Sequence, residues 1–219
     1  MQDDVWENSA VIPLTERFLP VLLDGGDTTL ETRYQAVRMP TTLITDPWGN
    51  EIFRVTGYLE RPKMAHVLQA VPTDFAGLAT AGRVLRDNPT DFGALLAAAQ
   101  FYQAAGLPQV TERFYAAALG APGATDLVGR RQAVIGRGLN LMGRLDRADE
   151  AATLFEKEIA AAPDGAGTDA LLLGLVNARL AQGRRKEAEA AARELGQKYA
   201  GSPYAARARQ LLSGADAKK

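Results

Sequence analysis

Gly106, Gly143 and Gly183 stand 37 and 40 residues apart, and each separates two stretches whose apolar residues recur at helical spacing. Leu95, Ala98, Ala99 and Tyr102 precede the first glycine, and Tyr115 and Ala118 follow it. Ile135, Gly136 and Leu139 precede the second, and Ala148, Ala151 and Phe155 follow it. Leu172, Leu175 and Val176 precede the third, with Ala188 and Ala192 beyond it. Pro122 and Pro163 close the first two periods. A repeat of this length is the signature of stacked helical hairpins. One hairpin cannot bury its apolar face alone, whereas three in series share a continuous core, and Ala and Gly at the crossings let helices approach closely. The pattern predicts an all-α superhelix over 73–213. A half-repeat in 73–91 leads in, a capping helix "SPYAARARQLLSG" closes it, and 214–219 form a disordered tail. A generic Ala-rich helical bundle is the other reading of the same residues.

The first 72 residues have a different texture. "FLPVLL" (18–23) is a short continuous apolar run of the kind that forms a buried strand. Leu30, Tyr34 and Val37 sit at helical spacing behind Thr28 or Thr29 as N-cap. "TTLITD" (41–46) and "EIFRVTG" (51–57) flank Pro47-Trp48-Gly49-Asn50, which predicts a β-hairpin. "RPKMAHVLQAV" then places Met64, Val67, Leu68 and Val71 on one helical face after Pro62. The order is helix, strand, helix, strand, strand, helix.

In that order, "VRMPTTLITDPWGNEIFRVTGYLERPKMAHVL" resembles the distal half of the thioredoxin-like family. The resemblance implies a cis Met39–Pro40 bond and a substrate-pairing backbone at Met39. Pro40 taken alone reads as a turn proline opening an edge strand. Met1 and Trp6 resemble two landmarks that follow the Cys-x-x-Cys motif in secreted members. The chain therefore looks like a form lacking the first strand and the start of the first helix. That strand lies between the two groups of strands in the family, so both 18–23 and 41–46 are expected to lack a ladder partner. A degenerate domain in which the two groups close on each other is the rival reading. The hairpins of 73–213 are similar to tetratricopeptide repeats, with periods slightly above that family's usual length of about 34 residues. The expected fold class is thus a partial α+β or α/β thioredoxin-like domain, 1–72, followed by an all-α array.

No catalytic constellation emerges. The chain has no cysteine, which excludes disulfides, thiol nucleophiles and thiolate metal sites. His66 is the only histidine, so no metal or nucleophile pair can form around it. Asp24, Asp27 and Asp46 lie near strand ends and read as turn and cap residues. No cofactor or metal is expected. Arg130, Arg131, Arg137 and Arg179 are candidate contacts of a repeat groove for an acidic peptide or a C-terminal carboxylate, and helix-end solvation is their other assignment. Arg144, Arg147, Arg184, Arg185 and Lys186 fall in the turns.

Residues 127–219 hold 16 Lys and Arg against 11 Asp and Glu, while the net charge of the whole chain is −1. Neither that balance nor any aromatic interleaving points to nucleic acid, and no apolar run is long enough to cross a membrane. The expected function is protein–protein interaction without catalysis by the chain as written. In a longer parent the same array would dock partners for a thiol–disulfide oxidoreductase. The alternative is a repeat-based chaperone or assembly scaffold with a degenerate first domain. Location follows the same fork: cytoplasmic if Met1 is the start, periplasmic or secreted if a signal peptide lies upstream.

Overall fold

The helical spacing around the three glycines is realised as six helices packed in sequence. In the computed structural model, which describes residues 5–22 and 28–216, these are α5 (Phe92–Ala104), α6 (Pro108–Gly120), α7 (Leu127–Arg144), α8 (Ala148–Ala161), α9 (Thr168–Ala181) and α10 (Arg185–Lys198). Each packs against the next, and α11 (Pro203–Asp216) closes the series against α9 and α10. The last helix therefore runs to Asp216, into the segment expected as a tail from 214; 217–219 lie outside the described residues.

Local chemistry sets where these helices begin and turn. Asp91 caps α5 by accepting from the Ala94 N–H (2.8 Å). Asp126 caps α7 through the Gly129 N–H (2.8 Å), and each such cap is worth about 1 kcal/mol. Gly106 and Gly183 adopt φ of +75° and +73°, the left-handed conformation that ends a helix without a Cβ penalty. The Leu107 and Arg184 N–H groups then return to the carbonyls of Tyr102 (3.0 Å) and Arg179 (2.8 Å). The middle turn differs from expectation. Gly143 stays inside α7, and the reversal occurs three residues later at Asp146, whose φ is +55°. Arg147 N–H closes it on Leu141 C=O (2.9 Å).

Glycines inside the helices have a packing role. A Cβ at Gly138 of α7 would lie 2.2 Å from the Phe155 ring, and one at Gly174 of α9 would lie 2.6 Å from it. Phe155 of α8 is fully buried between these two bare stretches of backbone. Around it gather Val134, Leu141, Ala151, Ala152, Leu171 and Ala178. Two residues before Gly138, Gly136 receives the Tyr115 hydroxyl end in the same way, at 2.3 Å from a would-be Cβ. A second cluster, with Leu172, Val176, Ala188 and Leu195, reaches Ala205 and Ala208 of α11.

The chain divides into two compact units, Met1–Arg86 and Asp87–Lys219. The first holds α1 (Ile12–Thr15), α2 (Thr28–Tyr34), β1 (Thr41–Thr45), β2 (Glu51–Thr56), α3 (Arg61–Ala70), a 3-10 turn (Ala76–Leu78) and most of α4 (Ala79–Asp87). Strands β1 and β2 pair antiparallel, Thr41 opposite Thr56 and Ile44 opposite Phe53, with an irregularity at Ile44/Thr45. Ile44, Ile52, Met64, Leu68, Leu78 and Leu85 are its principal buried apolar side chains. Residues 79–86, expected to lead into the helical array, instead belong with the hairpin. Trp48 lies flat against Gly82, where a Cβ would come within 2.2 Å of the ring, and Asn50 Nδ2 donates to Gly82 C=O (3.2 Å).

The apolar run at 18–23 forms no strand in its described part. Leu19, Val21 and Leu22 are 89%, 69% and 95% exposed, and Leu23 lies outside the described residues. Among the described residues the sheet contains only β1 and β2, and no strand stands beside this segment to pair with it. Backbone N–H and C=O groups without a ladder partner are satisfied by water.

Gly174→Ala adds a methyl to the Phe155 seat. Despite the ~0.5–1 kcal/mol that alanine gains over glycine in a helix, the clash is expected to cost a net ~1–3 kcal/mol. A urea unfolding curve of the intact chain measures it. A variant as stable as the parent would show that Phe155 does not depend on that close approach.

Candidate functional site

Four arginines expected at a repeat groove are committed within the helical unit. Arg130 Nε donates to both carboxylate oxygens of the buried Glu158 (2.9 and 3.2 Å). Arg137 donates through Nε and its terminal nitrogen to Glu112 Oε1 (2.9 and 2.7 Å). Arg179 bridges Glu156, Glu187 Oε2 (3.1 Å) and Gln182 Oε1 (2.9 Å). Arg131 is only 2% exposed, so no groove partner reaches it. Among the described residues no carboxylate pairs with it. One terminal nitrogen donates to Gly165 C=O (2.6 Å), Ala166 C=O (2.6 Å) and Thr168 Oγ1 (2.8 Å), and the other to Ala162 C=O (2.5 Å). The cation thus gathers the carbonyl oxygens between α8 and α9. The close approach requires a bare backbone, since a Cβ at Gly165 would sit 2.9 Å from the guanidinium.

Met39 and Pro40 lie in the loop before β1. The Met39–Pro40 peptide is cis, and the Met39 side chain is largely exposed. Pro40 C=O accepts from the Gly57 N–H (2.7 Å), and the Asp46 N–H donates to Asn50 C=O (2.9 Å). Antiparallel pairing alternates along a strand, so Thr42 and Ile44 face β2 while Thr41, Leu43 and Thr45 turn their N–H and C=O outward. Among the described residues no backbone group pairs with that outer edge. Strand β1 carries no charge and no proline, the usual devices that protect an edge.

Asp24 and Asp27 lie outside the described residues. Asp46 holds the hairpin loop: Oδ1 accepts from the N–H groups of Trp48 and Asn50 (2.9 Å each), and Oδ2 from Asn50 Nδ2 (2.8 Å). Burial pushes its carboxyl above the ordinary carboxylate value, against the lowering effect of those hydrogen bonds. His66 is exposed on α3 and borders a shallow surface hollow with Val55, Leu59, Pro62 and Val67. Among the described residues no group of acidic, His or Cys side chains is arranged to hold a metal, and no helix is long and apolar enough to cross a membrane.

One site went unnoticed in the sequence. A cavity of about 230 Å³ opens between the α5–α6 turn and the last turn of α7, lined by Gln103, Leu107, Pro108, Thr111, Asn140 and Arg144 among others. Thr111 is fully buried, and its hydroxyl has no hydrogen-bond partner. A buried hydroxyl left so costs ~1–3 kcal/mol. Asn140, 1% exposed, donates to Pro108 C=O (2.9 Å). The available signal was the start of α6: Pro108-Gln109-Val110-Thr111 carries neither a capping side chain nor an acid in its first turn.

None of the protein-family models, curated proteins or solved structures compared with the chain matches it.

Two predictions follow from these geometries. Arg131→Ala takes the guanidinium donors from the Ala162, Gly165 and Ala166 carbonyls, of which Ala162 and Gly165 keep bonds from the Gly165 N–H (3.2 Å) and the Thr168 hydroxyl (2.8 Å), and is expected to lower stability by roughly 1–3 kcal/mol. Arg131→Lys recovers little of this, because an ammonium cannot span the same fork; denaturant unfolding of the two variants checks both. For Asp46, the folded carboxyl keeps its proton to higher pH than the unfolded one. The first unit is therefore expected to lose stability as pH rises from the ordinary carboxylate value through the raised one. Asp46→Asn keeps the Oδ1 acceptor and should flatten that slope, read as urea unfolding at the Trp48 indole resonance between about pH 4 and 7.

Proposed function

We propose that the chain is a non-catalytic protein-interaction module, made of the distal part of a thioredoxin-like domain followed by a tetratricopeptide-type array that docks a protein or peptide partner. The order of elements from α2 to α3, with a two-stranded antiparallel hairpin between them, supports the first part. Three successive helical hairpins and a closing helix support the second. Thiol–disulfide exchange requires a thiolate, and these 219 residues contain none.

The single observation that carries the reading is the unpaired outer edge of β1. Thr41, Leu43 and Thr45 present three N–H and three C=O groups in register for another strand, and the apolar residues Leu19, Val21 and Leu22 stand in water. Both conditions are relieved by one inserted apolar strand. In this reading that strand belongs to the same protein and is encoded outside the 219 residues. It would bring the Cys-x-x-Cys of a thiol–disulfide oxidoreductase with it, making the array that enzyme's docking surface.

Amide hydrogen exchange tests this. The Thr41, Leu43 and Thr45 amides are expected to exchange rapidly in the 219-residue chain. They should slow at least a hundredfold in a product translated from the frame upstream of Met1. An in-frame stop directly upstream, or equal exchange in the two proteins, overturns the proposal.

A further inference from the structure

The first two junctions between successive hairpins are built on the same plan, and one of them is incomplete. In each, an amide side chain near the end of one helix reaches the first carbonyl of the helix before it. At the second junction Gln182, just past α9, donates to Ala148 C=O, the first residue of α8 (3.3 Å). The same amide also donates to the Asp149 carboxylate (2.7 Å), so a resident anion sits at the α8 N-terminus. At the first junction Asn140 of α7 donates to Pro108 C=O, the first residue of α6. The position matching Asp149 is Gln109, and the first turn of α6 has no acid.

We propose that this first junction binds a small organic acid, whose carboxylate takes the place that Asp149 fills at the second. Four observations converge on the cavity. It lies at the opening of α6, beside Leu107 and Pro108, where the helix dipole favours negative charge. Thr111 lines it with a fully buried hydroxyl that lacks a partner and so has a proton to donate. Gln103 lines it too; its Oε1 accepts from the Tyr115 hydroxyl (2.7 Å), and its NH2 group is a donor. Arg144 stands exposed at the rim, and no ion pair engages it among the described residues.

Of the nearby carboxylates, only Glu112 Oε2 is buried without a donor. Glu112 is paired with Arg137 and Glu150 with Arg147. Leu107 and Leu139 form the apolar part of the wall, which suits a short hydrocarbon body behind the carboxylate. A cavity of about 230 Å³ accommodates a small free acid rather than a folded segment. The assignment is independent of the proposed docking role, since it uses neither the β1 edge nor the committed arginines.

The test is a titration of the full chain with sodium butyrate, followed in amide correlation spectra, with sodium chloride and inorganic phosphate as matched controls. Butyrate is expected to move the Leu107, Thr111 and Gly143 amides saturably, while chloride does not. Thr111→Val, which removes the unpartnered hydroxyl at constant volume, should melt no lower than the parent yet bind butyrate at least tenfold more weakly. Arg144→Glu should do the same. Shifts that do not saturate, or that survive both substitutions, overturn the site. Saturation by phosphate as strong as by butyrate overturns the carboxylate assignment. An arm with acetyl-Gly-Leu against its C-terminal amide addresses the source. At least tenfold tighter binding of the peptide acid than of butyrate would move it from a free acid to a protein terminus, against the proposal.

Discussion

The helical unit depends on one ring. Phe155 is held between Gly138 and Gly174, so α7, α8 and α9 meet at a point where two of the three contribute no side chain. Close packing of this kind is unforgiving, because a protein interior has little spare volume into which a methyl can move. It fixes the separation of α7 from α8 within the second hairpin and of α8 from α9 of the third, and those separations let Arg130 meet Glu158 and Arg179 meet Glu156 across neighbouring helices. The polar contacts are consequences of the aromatic seat.

The two units answer the same physical demand in different ways. Every helix supplies its own backbone partners except at its ends, so the array is self-sufficient once caps and turns are in place. A strand has no such autonomy. Among the described residues β1 satisfies one edge through β2 and leaves the other unpaired, and Leu19, Val21 and Leu22 stay exposed.

Much of this was legible in the sequence because it rests on period and on single residue types. The helical hairpins followed from the spacing of glycine, alanine and aromatic residues, and the β-hairpin from two β-branched runs around Trp48-Gly49-Asn50. Misplacements came where tertiary contact outweighs local pattern. Gly143 looks like a turn residue, yet the helix continues through it and the chain turns at Asp146, where Arg147 N–H closes on Leu141 C=O. Residues 79–86 carry a helical pattern that says nothing of their neighbour, and Trp48 claims them for the first unit. Arg131 reads as a surface cation. Only the fold reveals a ring of carbonyls waiting for it, since backbone oxygens leave no trace in composition. The cavity at α6 escaped for a related reason: it is defined by what its first turn does not contain.

That carbonyl ring gives the array an uneven response to ionic strength. Arg131 is held by fixed dipoles in a place mobile ions do not enter, so added salt leaves the α8–α9 connection as it is. The pairs Arg147–Glu150 and Lys198–Glu194 lie at the solvent-facing surface, where dissolved ions compete directly for each charge. Concentrated electrolyte would therefore soften the outside of the array while its interior lock stayed shut, giving the chain a spine that is indifferent to the saltiness of its surroundings.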